Sequence, residues 1–187
     1  INLGLPLIAV DGVEADDVIG TLAMEAEKKN IKTMIATGDK DMAQLVTDNI
    51  HLIDTMKDIR MGPREVLEKF GILPERFIDY LTLAGDTSDN IPGVPGIGVK
   101  TAAELINKYK NLDTLLKKAS EIKQNKRRET LIANKDKALL SKQLVTLKDD
   151  VPIKTNPSEF LIKKINKDKL YNFLREMEFN RLLSQAI

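Results

Sequence analysis

Residues 86–98, Asp-Thr-Ser-Asp-Asn-Ile-Pro-Gly-Val-Pro-Gly-Ile-Gly, constrain the fold more than any other stretch of the chain. Two carboxylates three residues apart stand directly before a hairpin punctuated by prolines and glycines, and an amphipathic run opens at its far end. The segment therefore predicts a tight turn feeding the start of a helix. Hairpins of this kind aim free backbone N–H groups, at the positive end of a helix dipole, toward a phosphodiester. The ligand this chemistry fits is a nucleic-acid backbone, and the neighbouring acidic pair is of a kind that holds metal ions.

The charge distribution points the same way. A whole-chain balance of +1 hides a strong polarity: residues 1–95 hold 9 Lys+Arg against 17 Asp+Glu, a balance of −8, and residues 96–187 hold 20 against 11, a balance of +9. An acidic half suited to divalent cations precedes a basic half suited to a polyanion. A run such as Lys126-Arg127-Arg128 would by itself describe only a solvated helix face. Without cysteine there is neither a disulfide framework nor a thiolate metal site, which suits a reducing compartment. The longest apolar run, around Leu7 to Val10, is too short to span a membrane, and no basic-then-apolar signal peptide is present. A chain of 187 residues fits one domain or two small ones. It starts at Ile1 and runs at once into a predicted strand, so it reads as a piece of something longer.

The first part follows a strand, helix, strand, helix, strand grammar. Leu7–Val10 predicts a buried strand, and Glu14–Lys29 a helix with its stripe at Val18, Ile19, Leu22, Ala23 and Ala26. Thr33–Thr37 predicts the second strand, Asp41–Val46 a helix, and His51–Ile53 the third strand. This order is that of a parallel sheet with right-handed crossovers. After Pro63 the pattern becomes helical, at roughly 64–70, 74–84, 98–110, 112–118, 125–146 and 167–177. A further strand is expected near Val151–Lys154, and Pro152–Pro157 reads as a connector.

On this framework Glu14, Asp16 and Asp17 follow the first strand and open its helix, while Asp39 and Asp41 follow the second. Both clusters lie at carboxyl ends of parallel strands, where open α/β sheets put their ligands. A single acid in a first helical turn is explained by the helix dipole alone. Five acids in two successive strand-to-helix loops are not, because like charges brought together repel strongly unless a cation intervenes. With oxygen donors and no cysteine, magnesium or manganese is favoured over zinc. Lys40, between two acids, suits a phosphate contact and a charge-balancing role equally.

Other chemistries lack their signatures. His51 lies in a strand-like run as a structural or surface residue, no serine stands in a nucleophile elbow, and the glycines form no Walker or dinucleotide loop. Gly96-Ile97-Gly98, preceded by Pro92-Gly93-Val94-Pro95 and followed by Lys100-Thr101, forms instead a helix-hairpin-helix candidate. Lys100 is placed for a phosphate contact, while Ala102, Ala103, Leu105 and Ile106 pack the core.

The runs GVEADD at 12–17, TGDKD at 37–41 and GDTSDNIPGVPGIGVKTA at 85–102, in this order and spacing, resemble the 5′ nuclease domain of bacterial DNA polymerase I, a relative of the flap endonucleases. The resemblance covers nearly the whole chain and extends to the closing LREMEFNRLL at 174–183. It implies an α/β class with a parallel-sheet, PIN-like nuclease core, followed by a mostly helical region bearing a helix-three-turn-helix DNA clamp. Residues 1–62 would be the carboxyl-terminal portion of the core, and residues 63–187 the DNA-binding region with its helix-hairpin-helix at 85–110. Carried over by position, Glu14, Asp16, Asp17, Asp39, Asp41, Asp86 and Asp89 would surround two divalent cations, Mg2+ or Mn2+. Gly93, Gly96, Ile97, Gly98, Lys100 and Thr101 would contact DNA. Backbone carbonyls near Val94 and Ile97 would hold a monovalent cation, K+. The resemblance further implies flap, nicked or 5′-ended duplex substrates, polymerase domains on the same polypeptide, and a cytoplasmic, nucleoid-associated location.

The family's domain begins with a further strand bearing a metal-ligand aspartate, a second acid and a helical arch, none of which precedes Ile1. The expectation is therefore a 5′ nuclease piece that is inactive alone. Two other readings fit parts of the sequence: a noncatalytic, structure-specific DNA-binding module, and a ribonuclease of related acidic-sheet architecture. Cleavage of flap DNA with magnesium separates the first alternative, and a comparison of RNA with DNA separates the second.

Overall fold

The computed structural model describes residues 3–154 and 156–186. It divides into two compact units, Asp16–Val151 and Ile1–Ala15 with Pro152–Ile187.

The larger unit is built on a three-stranded sheet in the order β1 (Thr33–Ala36), β2 (Ile50–Asp54), β3 (Ile59–Met61). As the crossover grammar predicts, β1 and β2 are parallel, with Met34 opposite His51 and Ile35 opposite Leu52. The expected third strand, His51–Ile53, is β2, whereas β3 has no counterpart among the predicted strands and makes the sheet mixed, not parallel throughout. Strand β3 is antiparallel to β2 and follows a turn in which Asp54 Oδ1 accepts the N–H groups of Met56 and Lys57, at 3.1 and 3.2 Å. Asp58 closes that turn with φ +53, a conformation Asp tolerates because its short side chain bonds locally.

Helix α1 (Ala15–Lys28) buries Val18, Ala23 and Ala26 on its predicted stripe. The expected helix at Asp41–Val46 is a single 3-10 segment, Asp41–Leu45, with Met42, Ala43 and Leu45 buried. Next come α2 (Pro63–Phe70), a 3-10 turn at Pro74–Arg76, and α3 (Phe77–Ala84). Phe70, Phe77 and Tyr80 form an aromatic cluster, the first pair edge to face at 4.9 Å. Helices α4 (Val99–Tyr109) and α5 (Leu112–Lys117) follow the hairpin. The long helix predicted over 125–146 is two helices, α6 (Asn125–Ala133) and α7 (Lys135–Val145). Asn134 separates them: its backbone leaves helical geometry at φ −115, ψ 24, and its amide donates to Thr130 O at 2.8 Å. An Asn side chain that bonds local carbonyls offers the backbone an alternative to continuing a helix. One continuous core runs through this unit, with Met42, Ile50, Ile72, Phe77, Leu81, Ile106, Leu112 and Leu131 fully enclosed.

Asp79 fastens the helices at one point. Its Oδ2 accepts the N–H of Leu112 at the start of α5 at 3.0 Å, and its Oδ1 lies 2.9 Å from Lys142 Nζ of α7.

In the smaller unit Lys163 N–H donates to Gly4 O at 2.9 Å, and α8 (Lys167–Glu176) is followed by α9 (Asn180–Ala186), with Phe173 of α8 against Phe179 in the intervening turn, 6.3 Å apart. Helix α9 lies beyond the last predicted helix. Two strand expectations fail. Leu7–Val10 has no ladder partner among the described residues, and Leu7 is 74% exposed. An apolar run states what a segment can bury, whereas a strand also requires a neighbour for its backbone groups. Near Val151–Lys154 no strand forms either. The Val151 N–H is taken instead by the Thr21 hydroxyl at 3.1 Å.

Candidate metal and nucleic-acid site

The loop after β1 is wound by its own side chains. Thr37 Oγ1 accepts the N–H of Asp39 at 3.0 Å, and Asp39 Oδ1 accepts the N–H of Asp41 at 2.8 Å. These two local bonds tighten the turn at the carboxyl end of β1, the second of the predicted strands, where Asp39 and Asp41 were expected, and present Asp41 at the start of the 3-10 segment.

The second contribution comes from the end of α3. Gly85 turns the chain with φ +71, and Asp86 then pairs through its backbone with Ile91, N–H to O at 3.0 and 2.7 Å. The intervening residues form a tight loop that returns through Asn90 at φ +57 and carries Asp89. Ser88 donates its backbone N–H to Asp86 Oδ1 at 2.8 Å and also its hydroxyl to the same oxygen.

Asp41, Asp86 and Asp89 are thereby brought together, each offering a carboxylate oxygen within 4.8 Å of the others. They are the one such acidic group among the described residues. Lys40 reaches into it: its ammonium bonds Asp86 Oδ2 and stands 3.3 Å from Asp41 Oδ1. Hydrogen bonds from Lys40 and Ser88 hold the Asp86 carboxyl down to about 2. Burial pushes Asp41 upward, aided by the charges of Asp39 and Asp86 and opposed by Lys40. Burial would lower Lys40, but its hydrogen bond to Asp86 and the charge of Asp41 outweigh that, and its value is raised. The site's electrostatics are thus those of several anions sharing too little positive charge.

The donors suit a hard divalent cation. All three are carboxylate oxygens, and Asp41 Oδ1 is buried without a hydrogen bond. A small, oxygen-only acidic group matches the ligand preference of Mg2+ or Mn2+.

The remaining predicted acids lie elsewhere. Asp39 is one hydrogen bond removed, holding the N–H of Asp41. Asp17 is buried in α1, and its Oδ1 accepts the N–H of Lys148 at 2.9 Å. Asp16 stands beside it in the first turn of α1, and Glu14 belongs to the smaller unit.

The hairpin divides into a buried and an exposed face. Gly93 donates to Ser141 Oγ at 3.1 Å, Val94 N–H to Leu83 O at 2.9 Å, and Ile97 N–H to Val94 O at 3.0 Å. The side chains of Val94 and Ile97 are buried and anchor the turn in the core. The outward face carries Gly96, Gly98, Val99 and Lys100, with Thr101 half-buried. A Cβ added at Gly96 or Gly98 would meet nothing within 4 Å. Gly98 caps α4 without a side-chain hydrogen bond, so that helix presents its first-turn N–H groups at the hairpin's open side.

Two positioning residues escaped sequence reasoning. Ser141 sits on the buried stripe of α7 with Ala138 and Val145, and a hydroxyl on an apolar stripe was the available signal. Gln44 joins the acidic loop to the end of α7: its Nε2 donates to Asp41 O and Val145 O, both at 3.0 Å, and its Oε1 accepts Leu147 N–H at 3.2 Å. Nothing local distinguishes it from a surface glutamine, since two of its partners lie about a hundred positions later.

The family model for the 5′-3′ exonuclease N-terminal resolvase-like domain matches residues 1–71, and that for the 5′-3′ exonuclease C-terminal SAM fold matches residues 72–168. DNA polymerase I of Rhizobium leguminosarum is 49% identical over 178 residues, covering 95% of this chain and 18% of that protein. The 5′-3′ exonuclease of Buchnera aphidicola subsp. Schizaphis graminum is 41% identical over 185 residues, covering 96% of this chain and 64% of that protein. A structure of T5 5′-exonuclease with bound divalent zinc superposes with a TM-score of 0.70 at 25% identity, covering 76% of this chain and 53% of that one. The chain therefore spans less than two thirds of the length of each of these proteins.

Proposed function

The chain belongs to the 5′-3′ exonuclease family, and from that premise we propose that it is part of a metal-dependent 5′ nuclease hydrolysing phosphodiesters of 5′-flap or nicked duplex DNA. The observation that carries this reading is the meeting of Asp41, Asp86 and Asp89 at the base of a hairpin whose outer side opens α4. The proposal includes polymerase domains on the same polypeptide and a bacterial cytoplasmic setting. Functionally it assigns residues 1–62 to the nuclease core and 63–187 to DNA binding.

In this proposal Asp41, Asp86 and Asp89 hold one divalent cation. Asp39 orients Asp41, and Asp16, in the first turn of α1, contributes the acidity of a second position. Such ions, when bound, make a water nucleophilic and stabilise charge on the attacking and leaving oxygens of the phosphodiester. The chain's own residues supply placement. The first-turn N–H groups of α4, exposed beside Gly96 and Gly98, receive a backbone phosphate, and Lys100 adds a cation there. A monovalent cation, K+, is proposed at the carbonyls of Val94 and Ile97, supported by Gly96, whose φ of +75 turns the chain between them. Because Asp86 and Ile91 are paired at the hairpin's root, a duplex held at its tip is held in register with the acidic group.

The test is cleavage of a 5′-flap duplex with added Mg2+, run on this chain and on a fusion that adds the further length found in the exonuclease relatives. An RNA substrate of the same shape runs in parallel. Expected is magnesium-dependent cleavage of the DNA flap by the fused protein. Flap binding without cleavage by that protein would favour a noncatalytic DNA-binding module, and preferential cleavage of the RNA would favour a ribonuclease.

A further inference from the structure

Lys40 does something the proposed hydrolysis does not require of it. Its ammonium bonds Asp86 Oδ2 and lies 3.3 Å from Asp41 Oδ1, so it occupies the mouth of the very group of oxygens that fits a divalent ion. We infer that Lys40 is the resident counter-cation of the Asp41, Asp86 and Asp89 group, which an entering divalent ion must displace, so that this side chain sets how tightly the site takes its metal. The inference rests on the reading of that group as a metal site.

Four physical points carry it. Three carboxylates with oxygens inside 4.8 Å repel one another strongly when no cation is present, and an ammonium on the same loop relieves part of that repulsion in the folded protein. One ammonium is shared between two carboxylates, since Asp41 Oδ1 has only the 3.3 Å ion pair to the Lys40 Nζ that also bonds Asp86. The ammonium and a divalent ion also repel each other at such separations, so the two compete for the same oxygens. The side chain has a way out: it is 42% exposed, and it carries its charge on a flexible four-carbon stem that can turn outward without moving the loop. Asp39 and Asp41 on either side are fixed by their own turn bonds, which leaves Lys40 as the movable member.

The consequence has an unusual sign: removing a positive charge improves cation binding and harms the metal-free fold. The experiment measures Mn2+ affinity by calorimetry on the parent chain, Lys40→Met and Lys40→Arg, each checked for folding by circular dichroism. Metal-free unfolding is followed in urea with chelator present. Expected is Mn2+ binding about 5-fold or more tighter in Lys40→Met, since a charge-assisted pair no longer competes. Lys40→Arg keeps the competing charge and binds no tighter than the parent, and the urea midpoint of metal-free Lys40→Met falls. A second measurement uses the parent chain alone and stands if Lys40→Met does not fold. Acetylation of Lys40 by an amine-reactive ester, read by mass spectrometry, is expected to accelerate when Mg2+ is added. Unchanged or weaker Mn2+ binding by folded Lys40→Met, or an acetylation rate indifferent to Mg2+ in a chain that binds the ion, overturns the inference while leaving the metal site in place. Absence of Mn2+ binding by the parent and Lys40→Met alike overturns the metal reading itself.

Discussion

The backbone N–H of Gly93 donates to the hydroxyl of Ser141 at 3.1 Å, across 48 positions of sequence, with both residues buried. On its other side Gly93 lies against Gly85, where a Cβ would come within 2.6 Å of the Gly85 nitrogen. The hairpin is therefore seated on α7 by one hydrogen bond and on the end of α3 by a contact that only glycine permits.

Removing either support is expected to destabilise the fold. Ser141→Ala strands a buried N–H and costs about 1–3 kcal/mol. Gly93→Ala combines a backbone clash with a φ of +58 and costs more. Urea unfolding measures both, and a Ser141→Ala variant as stable as the parent would contradict the seating described above.

Gly98 behaves differently, because its backbone at φ −87, ψ 178 is open to any residue and nothing lies where its Cβ would go. Gly98→Val is expected to change stability by no more than about 0.5 kcal/mol, yet to weaken duplex binding several-fold by blocking close approach at the start of α4. Gly96→Val adds strain from its left-handed φ. Fluorescence anisotropy with unrelated duplex sequences checks this. Affinity is expected to fall steeply with salt and to ignore base sequence, and full binding by both variants would rule out the hairpin as the phosphate contact.

Asp86 and Asp41 carry opposite pH signatures in metal-free buffer. With its folded value at about 2, Asp86 contributes stability that is complete above the usual carboxylate range, near 3.9, and is lost as pH falls toward about 2. Asp41 is shifted upward, so its ionisation opposes folding as pH rises through that shifted value. Asp86→Asn is therefore expected to cost more than Asp41→Asn at neutral pH, and the difference to shrink as pH falls toward about 2. Denaturant midpoints taken from neutral pH down to about 2, where the Asp86 carboxylate loses its charge, decide it.

Manganese is expected to raise the melting temperature, because a ligand bound only by the folded state adds about 2.7 kcal/mol at 100 times its Kd. At roughly 2–4 °C per kcal/mol for a chain of this size, the shift is easily read by differential scanning fluorimetry. The pair Asp39→Asn with Asp41→Asn should abolish most of it. A flat titration of the folded parent chain would count against an assembled site.

Gln44→Leu removes two bonds that tie the Asp41 loop to Val145 and Leu147, together with a local bond to Asp41 O. Weaker Mn2+ binding is expected even though Gln44 is not a member of the acidic group and its Oε1 is taken by the Leu147 N–H. Affinity equal to the parent's would show that Asp41 is held by its own turn alone.

What the amino-acid order determined by itself was local and chemical. The periodicity of α1 and the hairpin before α4 were legible because each depends on spacings within a few residues, and the parallel pairing of β1 with β2 followed from the order of strand, helix and strand. The position of Asp41 after a parallel strand and of Asp86 before the hairpin could be read for the same reason. Only the tertiary structure decided which acids meet. Asp41 and Asp86 are 45 positions apart and converge because the β1 loop and the end of α3 pack into one core, whereas Asp17 turns its carboxylate to Lys148. It also decided that Gly93 faces Ser141 and not solvent, and that Leu7–Val10, apolar enough for a strand, forms none. Pairing and burial are satisfied between distant parts of the chain, and no local pattern records which partner will supply the missing hydrogen bond.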